Sequence, residues 1–244
     1  MKHDLLLLSN SSVFGRGYLE HALEAIGEFL DGHRRVYFAP YALMDHEAYT
    51  QRASDALSKL GVEVTGLPTT IDAARAVEEA EVLFVEGGNC FRLVKALQEH
   101  QLLEPVRRRV IAGELRYMGS SAGTNMACPT SRTTNDMPIV EPTSLESFGL
   151  LPFQINPHYL DPDPSSTHMG ETREQRITQF LEENQVAVLG MREGSWLRRQ
   201  DNVLTLGGTT GARLFERDQV PREFEQGDDL SFLLSQNPMF DSPL

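Results

Sequence analysis

The sequence predicts an α/β fold in which a largely parallel sheet is flanked by helices. Three observations lead to this fold class. Apolar runs alternate with amphipathic segments along the first two-thirds of the chain, two of these runs end in glycine-rich loops, and 244 residues suffice to bury a large core. Alternating strands and helices are typical of βαβ units, which build parallel sheets covered on both faces.

The individual elements follow from apolar runs, helical spacing and breaker residues. Pro40 ends the second predicted strand, and Gly61 stops the second predicted helix. The early strands are predicted at residues 4–9, 36–39, 62–67, 82–85 and 115–118. Later strands are predicted at 186–190, 196–198, 203–206 and 213–215. Helices are predicted at 18–30, 48–60, 71–80, 91–97, 103–111 and 171–183.

The domain organisation that we expect is one α/β domain over residues 1–217. Residues 218–244 are acidic and contain three prolines, which indicates a surface extension rather than a separate domain. Within it, residues 230–234 are apolar enough to dock on the body of the protein.

Charge and cysteine content limit the classes of function. A formal net charge of −13 argues against nucleic acid and anionic membranes as partners, because both require a basic surface. The apolar run 5–8 is too short for a secretory signal, and the two cysteines, Cys90 and Cys128, suggest no disulfide framework or zinc site. We therefore expect a cytoplasmic protein. Its oligomeric state is left open, with a homodimer as one alternative.

A candidate nucleophile follows the fifth predicted strand. The segment 119–123 reads Gly-Ser-Ser-Ala-Gly and matches G-x-S-x-G, in which a serine sits on a sharp turn between strand and helix. Ser121 occupies the central position, so the adjacent Ser120 is expected to cap the helix or to line the pocket. A plain glycine-rich turn or a phosphate-binding turn is the alternative interpretation.

A second glycine loop, Gly87-Gly88-Asn89, follows the fourth predicted strand. The carboxyl ends of parallel strands share one edge of a sheet, so this loop can lie beside the serine. Backbone N–H groups of Gly88 and Ala122 could then form an oxyanion hole, with Asn89 near the substrate. The alternative is a tight turn without catalytic function.

His158 is the favoured general base among seven histidines. It follows a short predicted strand, is stiffened by Pro157, and lies 37 residues after Ser121. Two acids, Asp136 and Glu193, are candidates to orient its imidazole. Glu193 is preferred because it follows a predicted strand, whereas Asp136 lies on a polar loop suited to closing over a substrate. The ambiguous histidine is His168, and the remaining five are expected to be solvated: His3, His21, His33, His46 and His100.

The sequence shares a set of blocks with a known protein family: 5–11, 87–89, 119–123, 128–130, 132–140, 154–158, 170–177 and 193–194. Through these blocks it resembles the peptidase E family of α-aspartyl dipeptidases. The similarity extends from about residue 4 to about residue 216. The sequence departs from the family pattern at Ser120, where the family has an aromatic residue, and no resemblance is found after 217.

The resemblance implies a fold similar to the class I glutamine amidotransferases and hydrolysis of dipeptides with N-terminal aspartate. By position it implies Ser121 as nucleophile, His158 as base, and Asp136 and Glu193 as the acids of the charge relay. It implies no metal and no organic cofactor.

Recognition of an N-terminal aspartate requires a cation for the side-chain carboxylate, an anion for the α-ammonium and an oxyanion hole. Arg173 and Arg132 are the candidate cations, because guanidinium groups bind carboxylates bidentately. Whichever acid does not orient His158 is free to bind the ammonium. Two alternative functions remain, a serine hydrolase for β-aspartyl or cyanophycin-type peptides and a non-catalytic binder of acidic ligands.

Overall fold

The computed structural model describes residues 3–167 and 169–241, so His168 and the last three residues of the predicted extension lie outside the described residues. Within this part of the chain, the strands are β1 Asp4–Leu8, β2 Arg35–Ala39, β3 Glu63–Gly66, β4 Val82–Val85, β5 Arg116–Ser120, β6 Gln154–Tyr159, β7 Val188–Arg192, β8 Ser195–Gln200, β9 Val203–Gly208, β10 Ala212–Phe215 and β11 Arg222–Phe224. The helices are α1 Leu23–Leu30, α2 His46–Leu57, α3 Ala73–Glu79, α4 Cys90–Glu99, α5 Leu103–Ala112, α6 Ala122–Met126 and α7 Arg173–Glu183.

The main sheet has seven strands in the order β3-β2-β4-β5-β1-β8-β9. Its first five strands are parallel to one another. Strand β8 is antiparallel to both of its neighbours, β1 and β9. The predicted α/β class with a largely parallel sheet is confirmed. The parallel arrangement brings the carboxyl ends of β1, β4 and β5 to one edge of the sheet.

A second sheet of four strands, in the order β11-β10-β7-β6, lies after the parallel part of the chain. In it β6 and β7 are parallel, and β10 is antiparallel to both β7 and β11. The sequence analysis did not separate these strands from the main sheet. A short turn at residues 193–194 joins β7 of the second sheet to β8 of the main sheet.

The central strand β1 shows how the core is built. Leu5 and Leu7 pack into the hydrophobic cluster on one face of the main sheet, while Leu6 and Leu8 pack into the cluster on the other. All four side chains are fully buried. A strand buried on both faces is apolar at every position, which explains the uninterrupted leucine run.

Residues beyond 217 pack on both sheets over much of their length. Strand β11 pairs with β10, and Leu230 and Leu233 are fully buried in the larger core cluster. A bridge between Gln185 and Met239 holds the chain near its described end. None of the helices in the described ranges is long and apolar enough to cross a membrane.

Candidate active site

Ser121 lies on a strained turn between β5 and α6. Its backbone has φ 51° and ψ −112°, a conformation that non-glycine residues adopt rarely. Gly123 makes the turn feasible, because a Cβ at this position would lie 1.9 Å from the carbonyl oxygen of Val85 on β4. The turn presents the serine at the edge where the parallel strands end, as the G-x-S-x-G pattern predicts.

A chain of hydrogen bonds links Ser121, His158 and Glu193. Nε2 of His158 lies 2.9 Å from Oγ of Ser121, and Nδ1 lies 2.7 Å from Oε1 of Glu193. A carboxylate only accepts hydrogen bonds, so Nδ1 carries the proton and donates it to Glu193. The free Nε2 then accepts the hydrogen bond of the serine hydroxyl, which is the arrangement needed for proton transfer.

The sequence analysis expected His158 just beyond a short strand. In the structure it lies within β6 instead. The pairing of β6 with β7 is irregular between Asn156 and Tyr159, and His158 there has φ 53°. A β-bulge redirects a side chain from its regular alternation. The imidazole reaches Ser121 because of this local irregularity.

Glu193 lies on the turn between β7 and β8, where Gly194 has φ 90°. Its backbone carbonyl accepts a hydrogen bond from the hydroxyl of Thr210 at 2.8 Å. The side chain is 56% exposed and that of His158 is 38% exposed, so water reaches both groups. The sequence analysis preferred Glu193 over Asp136 as the orienting acid, and the described contacts place Glu193 at Nδ1.

Two residues that the sequence analysis did not select, Ser9 and Asn10, hold this geometry from the carboxyl end of β1. The Ser9 hydroxyl accepts a hydrogen bond from the His158 backbone N–H at 3.0 Å and donates one to the carbonyl of Met191 at 2.9 Å. The Asn10 side chain accepts a hydrogen bond from the Gly194 N–H at 2.8 Å. The available signal was a polar pair directly after a buried strand, at the edge where α/β proteins bind ligands.

Ser9→Ala is expected to lower kcat about 10- to 100-fold with little change in KM. The change leaves the partly buried His158 N–H without its acceptor at a residue with positive φ, so the imidazole loses its fixed position. Steady-state hydrolysis of an aspartyl dipeptide, together with the melting temperature, measures the effect. Ser147→Ala is the matched control, because Ser147 is equally buried and its hydroxyl contacts only the Met126 sulfur at 3.7 Å. Wild-type kcat in Ser9→Ala would contradict this role.

A cavity of about 610 Å³ opens beside Ser121 and His158. This volume is in the usual range for small-molecule sites. Its wall includes charged groups from four segments: Asp136, Asp161, Arg173, and the adjacent Arg192 and Glu193. In the part of the chain that the structure describes, no cluster of three or more His, Cys, Asp or Glu side chains could hold a metal ion.

Arg173 and Arg192 differ in the partners they have in this cavity. Arg192 binds Asp161 through two hydrogen bonds of 2.7 Å and also contacts Glu223 at 3.0 Å. Arg173, half-buried at the first position of α7, forms no hydrogen bond or ion pair through its guanidinium with any described residue. Burial lowers the pKa of Arg173, and the nearby charge of Arg176 lowers it further, against a raising effect of Asp136. An anion entering the cavity would therefore meet a guanidinium without a partner.

Asp136 lies across the same cavity and is held by the amino end of α4. Its Oδ2 accepts a hydrogen bond from the Cys90 N–H at 2.7 Å. A helix N-terminus interacts favourably with a carboxylate, so this contact holds the Asp136 side chain at the start of α4. Among the described residues, Asp136 makes no hydrogen bond with His158.

Three residues that the sequence analysis placed at the site do not line the cavity. Ser120 neither caps α6 nor lines the cavity, because its side chain is fully buried beneath the sheet edge. Arg132 binds Asp241 near the C-terminus instead of lining the cavity. Asn89 caps α4 by accepting a hydrogen bond from the Arg92 N–H at 3.1 Å, and its amide donates one to the carbonyl of Met137 at 2.9 Å.

The expectation that His21 is solvated is wrong, since both of its ring nitrogens are buried.

The glycine loop after β4 runs directly against the nucleophile. A Cβ on Gly87 would lie 2.7 Å from Cβ of Ser121. The backbone N–H groups of Gly88 and Ala122 donate no hydrogen bond to any acceptor in the described ranges. Both predicted oxyanion donors therefore remain available to a ligand.

The fold and this site together define a hydrolase of the serine type. The sequence profile of Peptidase family S51 matches residues 5–207, and the chain belongs to this family. A protein of Streptomyces coelicolor named "Peptidase E" is 56% identical over 98% of each chain. A Drosophila melanogaster protein named "Probable alpha-aspartyl dipeptidase" is 46% identical over 95% of this chain and 97% of its own length. The crystal structure of a peptidase from an acI-B1 Actinobacterium has the same fold, with a TM-score of 0.67 at 16% identity, covering 95% of this chain and 98% of that one.

Proposed function

We propose that the chain is a serine dipeptidase that hydrolyses α-linked dipeptides with an N-terminal aspartate. The observation that carries this proposal is the hydrogen-bonded chain Ser121–His158–Glu193 beside a cavity lined by Arg173, whose guanidinium has no partner among the described residues. The names of the Streptomyces and Drosophila relatives support the same activity.

The first half of the reaction forms an acyl-enzyme. Oγ of Ser121 attacks the carbonyl carbon of the aspartyl residue while Nε2 of His158 accepts the hydroxyl proton. Glu193 stabilises the resulting imidazolium and holds its tautomer. When the tetrahedral intermediate breaks down, the imidazolium donates this proton to the leaving amine, and the second amino acid departs.

The second half repeats these steps with water. His158 removes a proton from water, whose oxygen attacks the acyl carbon, and the serine leaves as its hydroxyl is reprotonated. Negative charge develops on the substrate oxygen in both halves. The N–H groups of Gly88 and Ala122 are the donors that we assign to this charge, and preorganised donors of this kind stabilise the transition state.

Recognition of aspartate uses opposite charges on two sides of the cavity. The Arg173 guanidinium binds the side-chain carboxylate, and Asp136 binds the α-ammonium group. The net charge of −13 repels an acidic substrate overall, so a local cation without an internal partner is needed. A requirement for both groups selects an N-terminal aspartate over a neutral residue.

Arg173→Met is expected to raise KM for Asp-Leu about 10- to 100-fold while KM for Asn-Leu changes little. A charge-assisted hydrogen bond contributes about 1.5–3 kcal/mol, and only the aspartyl substrate loses one. Arg176→Met is the matched control, because Arg176 lies on the same helix and pairs with Glu171 at 3.8 Å. Equal losses on both dipeptides, or an equal effect of Arg176→Met, would show that Arg173 does not read the side-chain carboxylate.

The proposed function is tested by comparing Asp-Leu with its β-linked isomer, using amino-acid release as the readout. We expect hydrolysis of the α-linked dipeptide and at most trace hydrolysis of the β-linked one. The reverse preference would assign the site to β-aspartyl peptides. Failure of Ser121 to react with a fluorophosphonate would assign the protein to non-catalytic binding.

We also propose that the protein acts in the cytoplasm. Cys90 and Cys128 are both free and buried, which suits a reducing compartment. To test this location, the protein is isolated under alkylating conditions and then unfolded. Both thiols should be reactive after unfolding.

A further inference from the structure

Glu86 is a buried carboxylic acid that the reaction described above does not use. It follows β4 immediately before the Gly87-Gly88 loop and is fully buried. Its Oε1 accepts a hydrogen bond from the Tyr18 hydroxyl at 2.8 Å, and its other oxygen accepts one from the Gly87 N–H. A buried acid with several hydrogen-bond partners next to an oxyanion donor requires an explanation beyond packing.

The peptide group between Gly87 and Gly88 is held at one end by Tyr49. The Tyr49 hydroxyl donates a hydrogen bond to the carbonyl of Gly87 at 3.2 Å. In a planar trans peptide, the C=O and the following N–H point in opposite directions. Fixing the Gly87 carbonyl toward Tyr49 therefore fixes the Gly88 N–H on the opposite side of the loop.

Glycine geometry alone does not fix this peptide. Gly88 has φ +129°, a region that glycine enters freely, so its backbone preference alone does not select one orientation of the peptide group between the two glycines. The orientation of the Gly88 N–H depends on an anchor for the Gly87 carbonyl. Tyr49 is that anchor among the described residues.

The hydroxyl of Tyr49 has a single proton to donate, and the Glu86 carboxyl competes for it. An ionised Glu86 would accept hydrogen bonds from both tyrosines and leave the Gly87 carbonyl without a donor. A protonated Glu86 donates to the Tyr49 oxygen, and the Tyr49 proton then remains on the Gly87 carbonyl. Burial is the largest effect and raises the pKa of Glu86, which favours the protonated form, against lowering by the Gly87 N–H and by the hydroxyls of Tyr18, Ser11 and Tyr49.

We propose that Glu86 is a positioning residue: its neutral carboxyl directs the Tyr49 hydroxyl onto the Gly87 carbonyl and so holds the Gly88 N–H ready for the oxyanion. This inference rests on the proposed serine-peptidase function. It assigns the cluster of Tyr18, Tyr49 and Glu86 to the acceleration of the reaction, with no part in substrate binding. The cluster should therefore affect kcat and leave KM nearly unchanged.

Tyr49→Phe removes only the anchoring hydroxyl and is expected to lower kcat for Asp-Leu about 10- to 100-fold. Complete loss of an oxyanion donor lowers kcat about 10²- to 10³-fold. A donor that is present but no longer held in position should lower kcat by less. Tyr41→Phe is the control, because Tyr41 is also buried and its hydroxyl has no partner among the described residues. The control should keep wild-type kcat.

Glu86→Gln and Glu86→Ala test the neutral form of the acid. The carboxamide is uncharged, has the same shape and both donates and accepts, so Glu86→Gln should keep kcat within about fivefold of wild type. Glu86→Ala should lose kcat as Tyr49→Phe does. A loss in Glu86→Gln as large as in Glu86→Ala would overturn the role of the neutral carboxyl.

The outcomes separate this inference from the proposed function. If wild-type enzyme cleaves Asp-Leu and Tyr49→Phe keeps its kcat, the inference fails and the function stands. If wild-type enzyme does not cleave dipeptides, the function fails, and the same variants are compared by their rates of Ser121 labelling with a fluorophosphonate, which also places an oxygen in the oxyanion hole. Slower labelling of Tyr49→Phe and Glu86→Ala, but not of Glu86→Gln, then supports the inference, and equal or absent labelling overturns it.

Discussion

Ser121→Ala is expected to lower kcat about 10⁵- to 10⁶-fold without loss of the fold. Removal of the nucleophilic oxygen costs about this much in a serine protease whose other catalytic groups remain, because those groups act only through it. The strained φ of 51° is a property of the turn and its neighbours, so alanine at this position should fold. Hydrolysis of Asp-Leu at high enzyme concentration measures the residual rate, and circular dichroism and the melting temperature check the fold.

Ser120→Ala is the matched control for this prediction. Ser120 is adjacent to Ser121, but its side chain is fully buried, and its hydroxyl has no hydrogen-bond partner among the described residues. Its loss should leave kcat within about threefold of wild type, since no group of the site depends on it. An inactive Ser120→Ala with an active Ser121→Ala would reverse the assignment of the nucleophile.

Glu193→Gln is expected to lower kcat about 10²- to 10⁴-fold while KM changes little. An amide placed at Nδ1 can donate to it, which selects the imidazole tautomer protonated at Nε2, and that nitrogen can no longer accept the serine proton. Loss of the orienting carboxylate in a buried triad costs about 10⁴-fold in kcat. The Glu193 side chain is 56% exposed, so water replaces part of its stabilising effect on His158. The loss of kcat should therefore fall toward the lower end of the expected range.

Asp136→Asn should give a different kinetic result from Glu193→Gln on the same dipeptide. Asparagine can still accept the Cys90 N–H, which preserves the contact with α4, but it no longer attracts the substrate ammonium. KM should rise as kcat falls, because binding in the ground state is weakened together with the transition state. A pure kcat effect in Asp136→Asn, combined with a raised KM in Glu193→Gln, would exchange the two roles.

The parallel part of the fold was predictable because its signals are local. The first five strands are apolar or, for β3, alternating stretches of sequence, and Val82–Val85 has the predicted bounds. The second sheet was not predictable in this way, because β11 has three mostly exposed residues and β6 contains an irregular pairing. Whether a strand joins one sheet or another depends on long-range pairing, which a single sequence does not report.

The same distinction between local and long-range signals applies to the positions of the candidate site residues. Ser121 was identifiable because the turn requires a particular local sequence, with glycine where β4 passes closely. Arg132 and Arg173 look alike in the sequence, yet one binds Asp241 from the end of the chain and the other faces the cavity. Residue type showed what each guanidinium can bind, and only the folded chain shows what it already binds.

The site is divided between the two sheets, with consequences for how the protein loses activity. Ser121 directly follows β5 of the seven-stranded sheet, while His158 lies in the four-stranded sheet and Glu193 lies on the turn that joins the two sheets. Ser9 bridges the two by contacting both β6 and β7. A slight separation of the sheets would break the Ser121–His158 contact while every strand stays intact. Mild denaturant, or a perturbation of β11 at the edge of the four-stranded sheet, should therefore abolish activity well before the secondary structure is lost.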